Sequence, residues 1–575
     1  MNVEIIEAAR ASLFLNDPEF LQSWSDLSKA CPWATVYQSV DFCKIWYECY
    51  ADLHASLLVV GRDSGRVVGL APLAVSKHGG RLTWAGDYHA EYHTWLSTPE
   101  LGNGFIESAL DALASVSSGS LTFLYMAPGT PIEWLEPHRR WGRSVAARKL
   151  DRPLMSTDPQ VVDESLRKKS NKSKLNRLRK MGDFEFKVLQ SMAELEAIFD
   201  EVMLFKRYRH LAIHGQERPA SDLRKRAFYL KTMEHGLLHA SVMTLDGRLV
   251  SAHIGNRNNA EVVLGILAHS PFFAVHSPGK LHILLLAREL CQEGVRTFDL
   301  TPGGDYKDRF ASHADEAWFA VVFFRSQDYL KFKLKRRLAE RVKKAVLQPR
   351  VNRFALQQRL KRLRTQWKVT RLSDLPVALL TALRTKLWNN TEFRIYRMTP
   401  ENTENLPHVK LLRRDSIEDL LAFTPRNSRQ VDFIEHSLAR IENGAHPYTL
   451  VDNGKLIYCG WVAETSKSEI SEVDQTWYPP EGSVVLGDFY TAPEAQERGL
   501  FRNALCEVLR ESAAVPGTEH LFVGVMANDM RTRRIIEGLG FHHEYSFFKT
   551  TRLFRSKKWS SAPDSATRPK GKPEA

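Results

Sequence analysis

Hydrophobic positions recur with a period near two in some stretches of the chain and near 3.6 in others, and the order of the switches predicts its elements. The clearest run lies between residues 484 and 541. Val484, Val485, Leu486, Phe489 and Tyr490 make an apolar run of strand length, and APEAQERGLFRNAL then takes up the helical period. A strand therefore feeds a helix through a turn. The helix is predicted to begin near Gly499, where Arg498 and Gly499 aim unpaired backbone N–H groups, with their positive partial charge, at a phosphate. After Pro516-Gly517 a short strand, Leu521 to Met526, leads into ANDMRTRRIIEGLGF, where Asn528 or Asp529 caps a second helix and Gly538 or Gly540 ends it.

The same reading extends upstream. Phe20 to Tyr50 reads as two amphipathic helices around PWATVYQSVDF, and Leu57 to Val75 as a hairpin turning at Asp63-Ser64-Gly65. With a strand at TFLYMAP, residues 1–160 read as a mixed α/β domain. Asp87-Tyr88-His89 and Glu91-Tyr92-His93 form a polar, aromatic knot between strands. Its paired histidines have a spacing that can bind metal, but the favoured reading is a surface loop or the wall of a substrate cleft. Ser165 to Lys180, SLRKKSNKSKLNRLRK, is a basic helix with Leu166, Leu175 and Leu178 turned inward and its remaining faces either solvated or anion-binding. A strand at Phe184–Val188 and a helix at Met192–Arg209 follow. Three strands with turns at Asp246-Gly247 and Asn258-Asn259 come next, the last of them running from Val262 to Ala268. Ser277-Pro278-Gly279 then opens an apolar helix, and FDLTPGGDYKDRF closes the unit.

Residues 327–390 carry many Lys and Arg with few acids, and Leu338, Val342, Val346, Leu356, Leu360 and Leu363 fall near helical spacing, with a break at Pro349. This is a basic helical linker. It suits an anionic membrane surface, RNA, or packing as a helical hairpin on its neighbours. The last module opens with the strand EFRIYRM, continues through helices near Ile417–Leu421 and Val431–Ile441, and turns a hairpin at Asn453-Gly454. The Ser, Pro and Lys-rich segment after Lys557 is expected to be disordered.

Composition narrows the picture. A chain of 575 residues is too long for one core, and 43% hydrophobic and 10% aromatic residues are enough for several. The net charge of +13 favours anionic partners. Cys31, Cys43, Cys49, Cys291, Cys459 and Cys506 show neither CxxC nor zinc-ligand spacing, so no metal is expected and a reducing cytoplasm fits. The N-terminus lacks the pattern of a signal peptide, and no segment approaches the ~20 apolar residues of a membrane span. The expectation is a cytoplasmic protein, peripheral at most at the inner face of a membrane.

The strand, turn, helix, strand, helix order of residues 484–541 resembles the GNAT acyltransferases, with the match extending over about 392–553. The family's pyrophosphate turn is matched by Gln496-Glu497-Arg498-Gly499-Leu500-Phe501, with Phe501 in place of the family's last small residue. Asn528 and Gly540-Phe541 match its second element. Residues 10–330 carry a second resemblance, to the CelD/BcsL-like acetyltransferases, which are Fem-related. It rests on Tyr37-Gln38-Ser39, the basic SNKSKLNRLRK, the Ser277-Pro278-Gly279 helix and Phe298-Asp299-Leu300 with Gly304-Asp305-Tyr306-Lys307. These resemblances imply an α+β (mixed α/β) fold with tandem GNAT-like domains. The halves fall at 1–160 and 161–326, the linker at 327–390, a C-terminal GNAT domain at 391–556 and a tail at 557–575.

They also imply chemistry. Acetyl-CoA or another acyl-CoA would be the donor, held in the C-terminal module by Gln496, Arg498, Gly499, Leu500, Phe501 and Asn528, and in the N-terminal pair by Ser277 and Gly279. Asp488, set in an otherwise apolar strand where desolvation raises a carboxyl pKa, is the candidate base, with pairing to a neighbouring arginine as its alternative role. Tyr545 is a candidate proton donor to the leaving thiolate. Asp299, Tyr306 and Lys307, around Gly303-Gly304, suit recognition of a sugar hydroxyl or an amine, unless Asp299 simply caps the turn. The expected acceptor is an amino sugar, a glycan or envelope-polysaccharide precursor, or a similar polar molecule. The alternatives are an aminoacyl-tRNA donor of the Fem type and a non-catalytic scaffold built from these folds.

Overall fold

The computed structural model describes residues 1–215, 223–346, 388–424, 430–464, 467–552 and 555–567. Contacts divide the chain into two compact units, Met1–Lys206 with Pro219–Gln348, and Arg207–Arg218 with Pro349–Ala575.

The first unit holds two sheets. β1 (Asn2–Glu7), β2 (His54–Asp63), β3 (Arg66–Ser76), β4 (Leu82–Trp84) and β5 (Leu96–Ser97) form one, in which β3 pairs with both β4 and β5. The β2–β3 hairpin turns where expected, because Ser64 and Gly65 take the positive φ values of 47° and 83° that a two-residue turn requires. The other sheet uses β6 (Ser120–Met126), β7 (Val145–Ser156), β8 (Phe184–Leu189), β9 (Leu238–Leu245), β10 (Arg248–Asn258), β11 (Glu261–Val263), β12 (Ile266–His269), β13 (Thr297–Asp299) and β14 (His313–Phe323). Its order is 6-14-7-13-11-10-9-8, with β12 also on β10. The boundary expected at residue 160 is therefore crossed: β6 and β7, on its N-terminal side, pair with β14 from beyond it. The helix Pro278–Gln292 covers this sheet. It begins with Pro278, whose missing N–H costs nothing in a first turn, and it is apolar on nearly every side, so Leu281, Leu284, Leu285, Leu286 and Leu290 are all buried.

The expected basic helix is two helices, Pro159–Arg167 and Lys169–Met181, broken at Lys168. Leu166, Leu175 and Leu178 point inward as their spacing predicts. The single strand expected from Val262 to Ala268 is likewise split at Leu264-Gly265. There Gly265 passes so close to β10 that a Cβ on it would lie 2.4 Å from the Ile254 carbonyl oxygen.

The second unit is one sheet with a small accessory hairpin. β15 (Trp388–Met398), β16 (Arg413–Arg414), β17 (Ala445–Asp452) and β18 (Lys455–Glu464) precede the hairpin strands β19 (Ser468–Ile470) and β20 (Gln475–Trp477). β21 (Ser483–Thr491), β22 (His520–Met526), β23 (His542–Arg552) and β24 (Arg555–Ser560) complete an order of 16-17-18-21-22-15-23-24. β15, first in sequence, is thus a central strand. Helices Leu500–Ala513 and Met530–Gly538 cover one face over Val484, Leu486, Leu521 and Val523, whereas Trp477, Phe522, Tyr545 and Phe547 pack on the other. The disorder expected after Lys557 is not what the described residues show, because Lys557 to Ser560 complete β24 against β23, and residues 568–575 lie outside the described residues. Most of the predicted linker, including Pro349, lies outside the described residues.

Candidate active site

In the first unit β11 and β13 run parallel for three paired positions, ending at Val263 opposite Asp299, and the Leu264 N–H still reaches the Asp299 carbonyl at 2.7 Å. Beyond that point β12 pairs only with β10 among the described strands, so the sheet opens between β12 and the segment following Asp299. The chain leaving β12 reaches Ser277, which is held in the left-handed region at φ 53° and leads directly into the helix Pro278–Gln292. No side chain caps that helix start, while Lys174 from the basic helix donates to Ser277 Oγ at 2.6 Å. Burial lowers the Lys280 pKa, and Lys174, Lys168 and Arg309 lower it further; burial, Arg177 and Lys174 do the same for His276. Every charge acting on these two groups is positive. Cations gathered on uncapped N–H groups repel one another until an anion arrives, and a phosphate fits both the charge and the donors. This is where Ser277 and Gly279 were expected to hold the donor. Gly279 itself is not crowded, its nearest prospective Cβ contact being His269 Nδ1 at 3.4 Å.

A second cluster sits beside the end of β13. Asp299 is fully buried and takes a hydrogen bond from Tyr92 at 2.5 Å, one from Arg152 at 3.1 Å and one from its own turn, Thr301 N, at 2.7 Å. Arg152 also reaches Glu261 and Asp315. Asp299 is thereby held in an ion pair and caps its own turn, the alternative role its position suggested. Lys307, also expected to be catalytic, donates to the Thr301 hydroxyl at 2.7 Å and carbonyl at 3.1 Å. Burial lowers its pKa against the pull of Glu91 and Asp299. Thr301 has φ 60°, a strained value for a β-branched residue and one that fixes where its hydroxyl points. Tyr306 remains 45% exposed and is open to a ligand.

A candidate acid-base group at this cluster is Glu91, which the sequence marked only as part of a cleft wall. Burial raises its pKa to about 6, Lys307 opposing and Asp299 adding to the shift. Its electrostatic influence extends to Tyr37, Tyr125 and Tyr229, so these phenols surround it. The Tyr37 hydroxyl is buried without a hydrogen-bond partner. The neighbouring histidines are engaged in the fold: His93 takes the Leu124 N–H at 3.1 Å and bridges to the Asp87 carbonyl, and His89 meets the Tyr50 hydroxyl at 3.0 Å. Among the described residues no group of acids, histidines and cysteines could hold a metal ion.

The second unit repeats the opening. β21 and β22 run parallel only from Ser483 to Leu486, and a bulge then sets Asp488 and Phe489 against Gly460. Gly499 adopts φ 66° at the start of the helix Leu500–Ala513, which no side chain caps, and no atom lies within 4 Å of where its Cβ would stand. The turn is open. Gln496 is drawn into it by Arg531, which donates to the Gln496 carbonyl, and Phe501 packs edge-on against Phe489 at 5.1 Å. Leu500 is half-buried, and the Arg498 side chain lies outside the described residues. Asn528 is exposed and only its carbonyl is engaged, while Asp529 caps the next helix through Thr532 N at 3.0 Å.

The two catalytic expectations here are corrected. Asp488 is half exposed and paired with Arg440, so the desolvation that was to make it a base is missing and its alternative role is the one seen. Tyr545 is buried on the face away from both helices, accepts the Trp477 indole N–H at 2.6 Å, and has its pKa raised by burial to about 12. A cavity of ≈ 250 Å³ lined by Glu464, Gly482, Val484 and Gly517 lies at the start of β21, the end remote from the turn.

Comparison with known proteins agrees with this geometry. Residues 165–310 match the family described as Acetyltransferase (GNAT) domain. No curated protein matches the sequence. Solved structures similar to parts of the chain include FemX, at 13% identity over 54% of this chain and 98% of that one with a TM-score of 0.37. Another is L-PGS from Bacillus licheniformis, at 10% identity over 54% and 92% with a TM-score of 0.35. A third is a tandem GNAT protein from the clavulanic acid biosynthesis pathway, at 12% over 65% and 100% with a TM-score of 0.22. Residues 165–310 are thus a GNAT acetyltransferase domain, and the chain that carries it is an acyltransferase.

Proposed function

We propose that the chain transfers an acyl group from acyl-coenzyme A to the nitrogen or oxygen of an amino sugar, a glycan or envelope-polysaccharide precursor, or a similar polar acceptor, and that the first unit performs the transfer. The observation that carries this reading is the cation-ringed, uncapped start of the helix Pro278–Gln292, which lies on the splayed sheet whose other arm ends at Asp299. Lys174, Lys280 and the helix N–H groups would hold the pyrophosphate. The free edge of β12 offers backbone N–H groups to the donor carbonyl as negative charge develops there. Attack by the acceptor forms the new C–N or C–O bond and breaks the C–S bond. Glu91 takes the acceptor proton, and the sulfur leaves as a thiol after protonation. Tyr37, Tyr125, Tyr229 and Tyr306 would seat the acceptor. The turn at Gly499 is a second candidate donor site, with no base identified beside it.

Calorimetry with acetyl-coenzyme A distinguishes the sites. Lys174→Glu is expected to weaken binding about tenfold or more, the scale of one charge-assisted contact. Gly499→Glu reports on the other turn. No binding by the wild-type protein, or full binding by both variants, would overturn the donor assignment. The basic helix also exposes Lys169, Lys172, Arg179 and Lys180, which suits an RNA-borne donor. RNA that co-purifies and washes off with salt would favour that reading over coenzyme A.

A further inference from the structure

We infer that the β23–β24 hairpin of the second unit is a binding surface for single-stranded nucleic acid, a role separate from acyl transfer. Its register sorts the side chains by face. Phe548 pairs with Trp559, Thr550 with Lys557, and Arg552 with Arg555, so these six share one face, while Lys549, Thr551, Ser556 and Lys558 share the other. The two faces differ in charge balance. On the second, Asp474 pairs with Lys549 at 2.7 Å and with Lys558 at 3.7 Å. On the first, neither Arg555 nor Lys557 has a carboxylate partner among the described residues. The next acid along that face, Glu392, is already engaged by Arg394 and by the Ser546 hydroxyl.

Thr550, Arg552, Arg555, Lys557 and Trp559 of this first face, with Ser556 of the other, bound a concavity of ≈ 600 Å³. Trp559 stacks on Phe548 with ring centroids 5.2 Å apart and planes at 9°, and it remains 43% exposed. One indole face is fixed by the Phe548 ring beneath it and the other is presented to solvent. A braced aromatic platform beside cations along a strand edge is the combination that binds an unpaired strand, whose bases stack while its phosphates meet Lys and Arg. A lipid surface asks for more apolar exposure than the described residues of this face offer, Trp559 being the one exposed large hydrophobic among them.

The test is fluorescence anisotropy of a labelled oligo-uridine strand with the full chain, in parallel with quenching of tryptophan emission. Binding should fall with salt, and Arg555→Glu with Lys557→Glu should flatten the log-log salt slope by about 1.4, the share of two phosphates on a single strand. Trp559→Ala should weaken binding about tenfold. The single variant Lys557→Glu, exposed and outside any core, guards against loss of fold. Its thermal transition should match wild type while its salt slope falls. The inference is overturned if the wild-type protein does not bind the strand, or if all variants bind as wild type does. It is equally overturned if heparin or vesicles with anionic headgroups bind this face while the oligonucleotide does not.

Discussion

At the scale of single residues, the cluster around β13 shows how burial divides labour between carboxylates that look alike in sequence. Asp299 and Glu91 both act on Lys307, yet Asp299 is held by Arg152 and Tyr92 while burial raises the Glu91 pKa to about 6. The sequence marked Asp299, Tyr306 and Lys307 through the flexible Gly303-Gly304 turn, and marked Glu91-Tyr92 as a cleft wall. What it could not show was which acid faces Arg152, because that partner is 147 residues away and its strand joins the sheet only through β13 and β14. The two acids should therefore fail differently. Glu91→Gln should lower kcat by about 10²–10⁴, the usual contribution of a positioned base, and leave the melting temperature in place. In the wild-type protein the base acts when deprotonated, so the rate should rise through pH about 6, and the variant should lose that limb. Asp299→Asn should instead cost about 3 kcal/mol of stability, because it leaves a buried guanidinium short of a partner. Paired pH-rate profiles and urea melts would check both. A stable but pH-independent Asp299→Asn enzyme would reverse the assignment.

At the scale of elements, most of what was local proved legible. The hairpins at Asp246-Gly247 and Asn453-Gly454 turn where expected, because those residues accept positive φ. The turn at Gly499 and the helix after it also stand where the period changed. What failed were properties set by non-adjacent strands. Asp488 was read as a desolvated base from its apolar neighbours, but the bulge opposite Gly460 rotates it to φ 51° and toward Arg440. The bulge lies just past Leu486, where β21 stops pairing with β22, while β21 resumes its pairing with β18 at Tyr490. Asp488→Gly should keep this geometry at the loss of only an exposed ion pair, about 1 kcal/mol or less. Asp488→Val, β-branched and forced to positive φ, should cost about 1–3 kcal/mol more. Denaturant melts of the pair would decide, and equal stability would mean that the bulge relaxes without strain.

At the scale of the whole molecule, the two units carry different responses to acid. β9 and β10 read as apolar strands, and that period concealed His239, His253 and His282 with Ser241 and Ser251 in one buried layer. Burial lowers the His282 pKa to about 3 and that of His253 well below its ordinary value, with the Val263 backbone opposing the shift at His253. Unfolded, these rings take protons near pH 6.5. Folded, they stay neutral, so below that pH the unfolded state binds more protons and the first unit loses stability as pH falls from about 6.5 toward 3. Glu91 acts with the opposite sign, since its raised folded pKa favours the folded state as it protonates near pH 6, but its shift is smaller than that of His282 alone. In the second unit the shifted carboxylates, Glu392, Glu401, Glu469 and Asp474, are all lowered by hydrogen bonds or basic partners and lose their contribution only at more acidic pH. Calorimetric scans should therefore show one transition moving down between pH 6.5 and 4.5 while another holds. His253→Leu should make the first less sensitive to acid, because a ring that stays neutral in the fold and takes a proton on unfolding is removed. Parallel acid shifts in both transitions, or an unchanged first transition in His253→Leu, would locate the acid response outside this histidine layer.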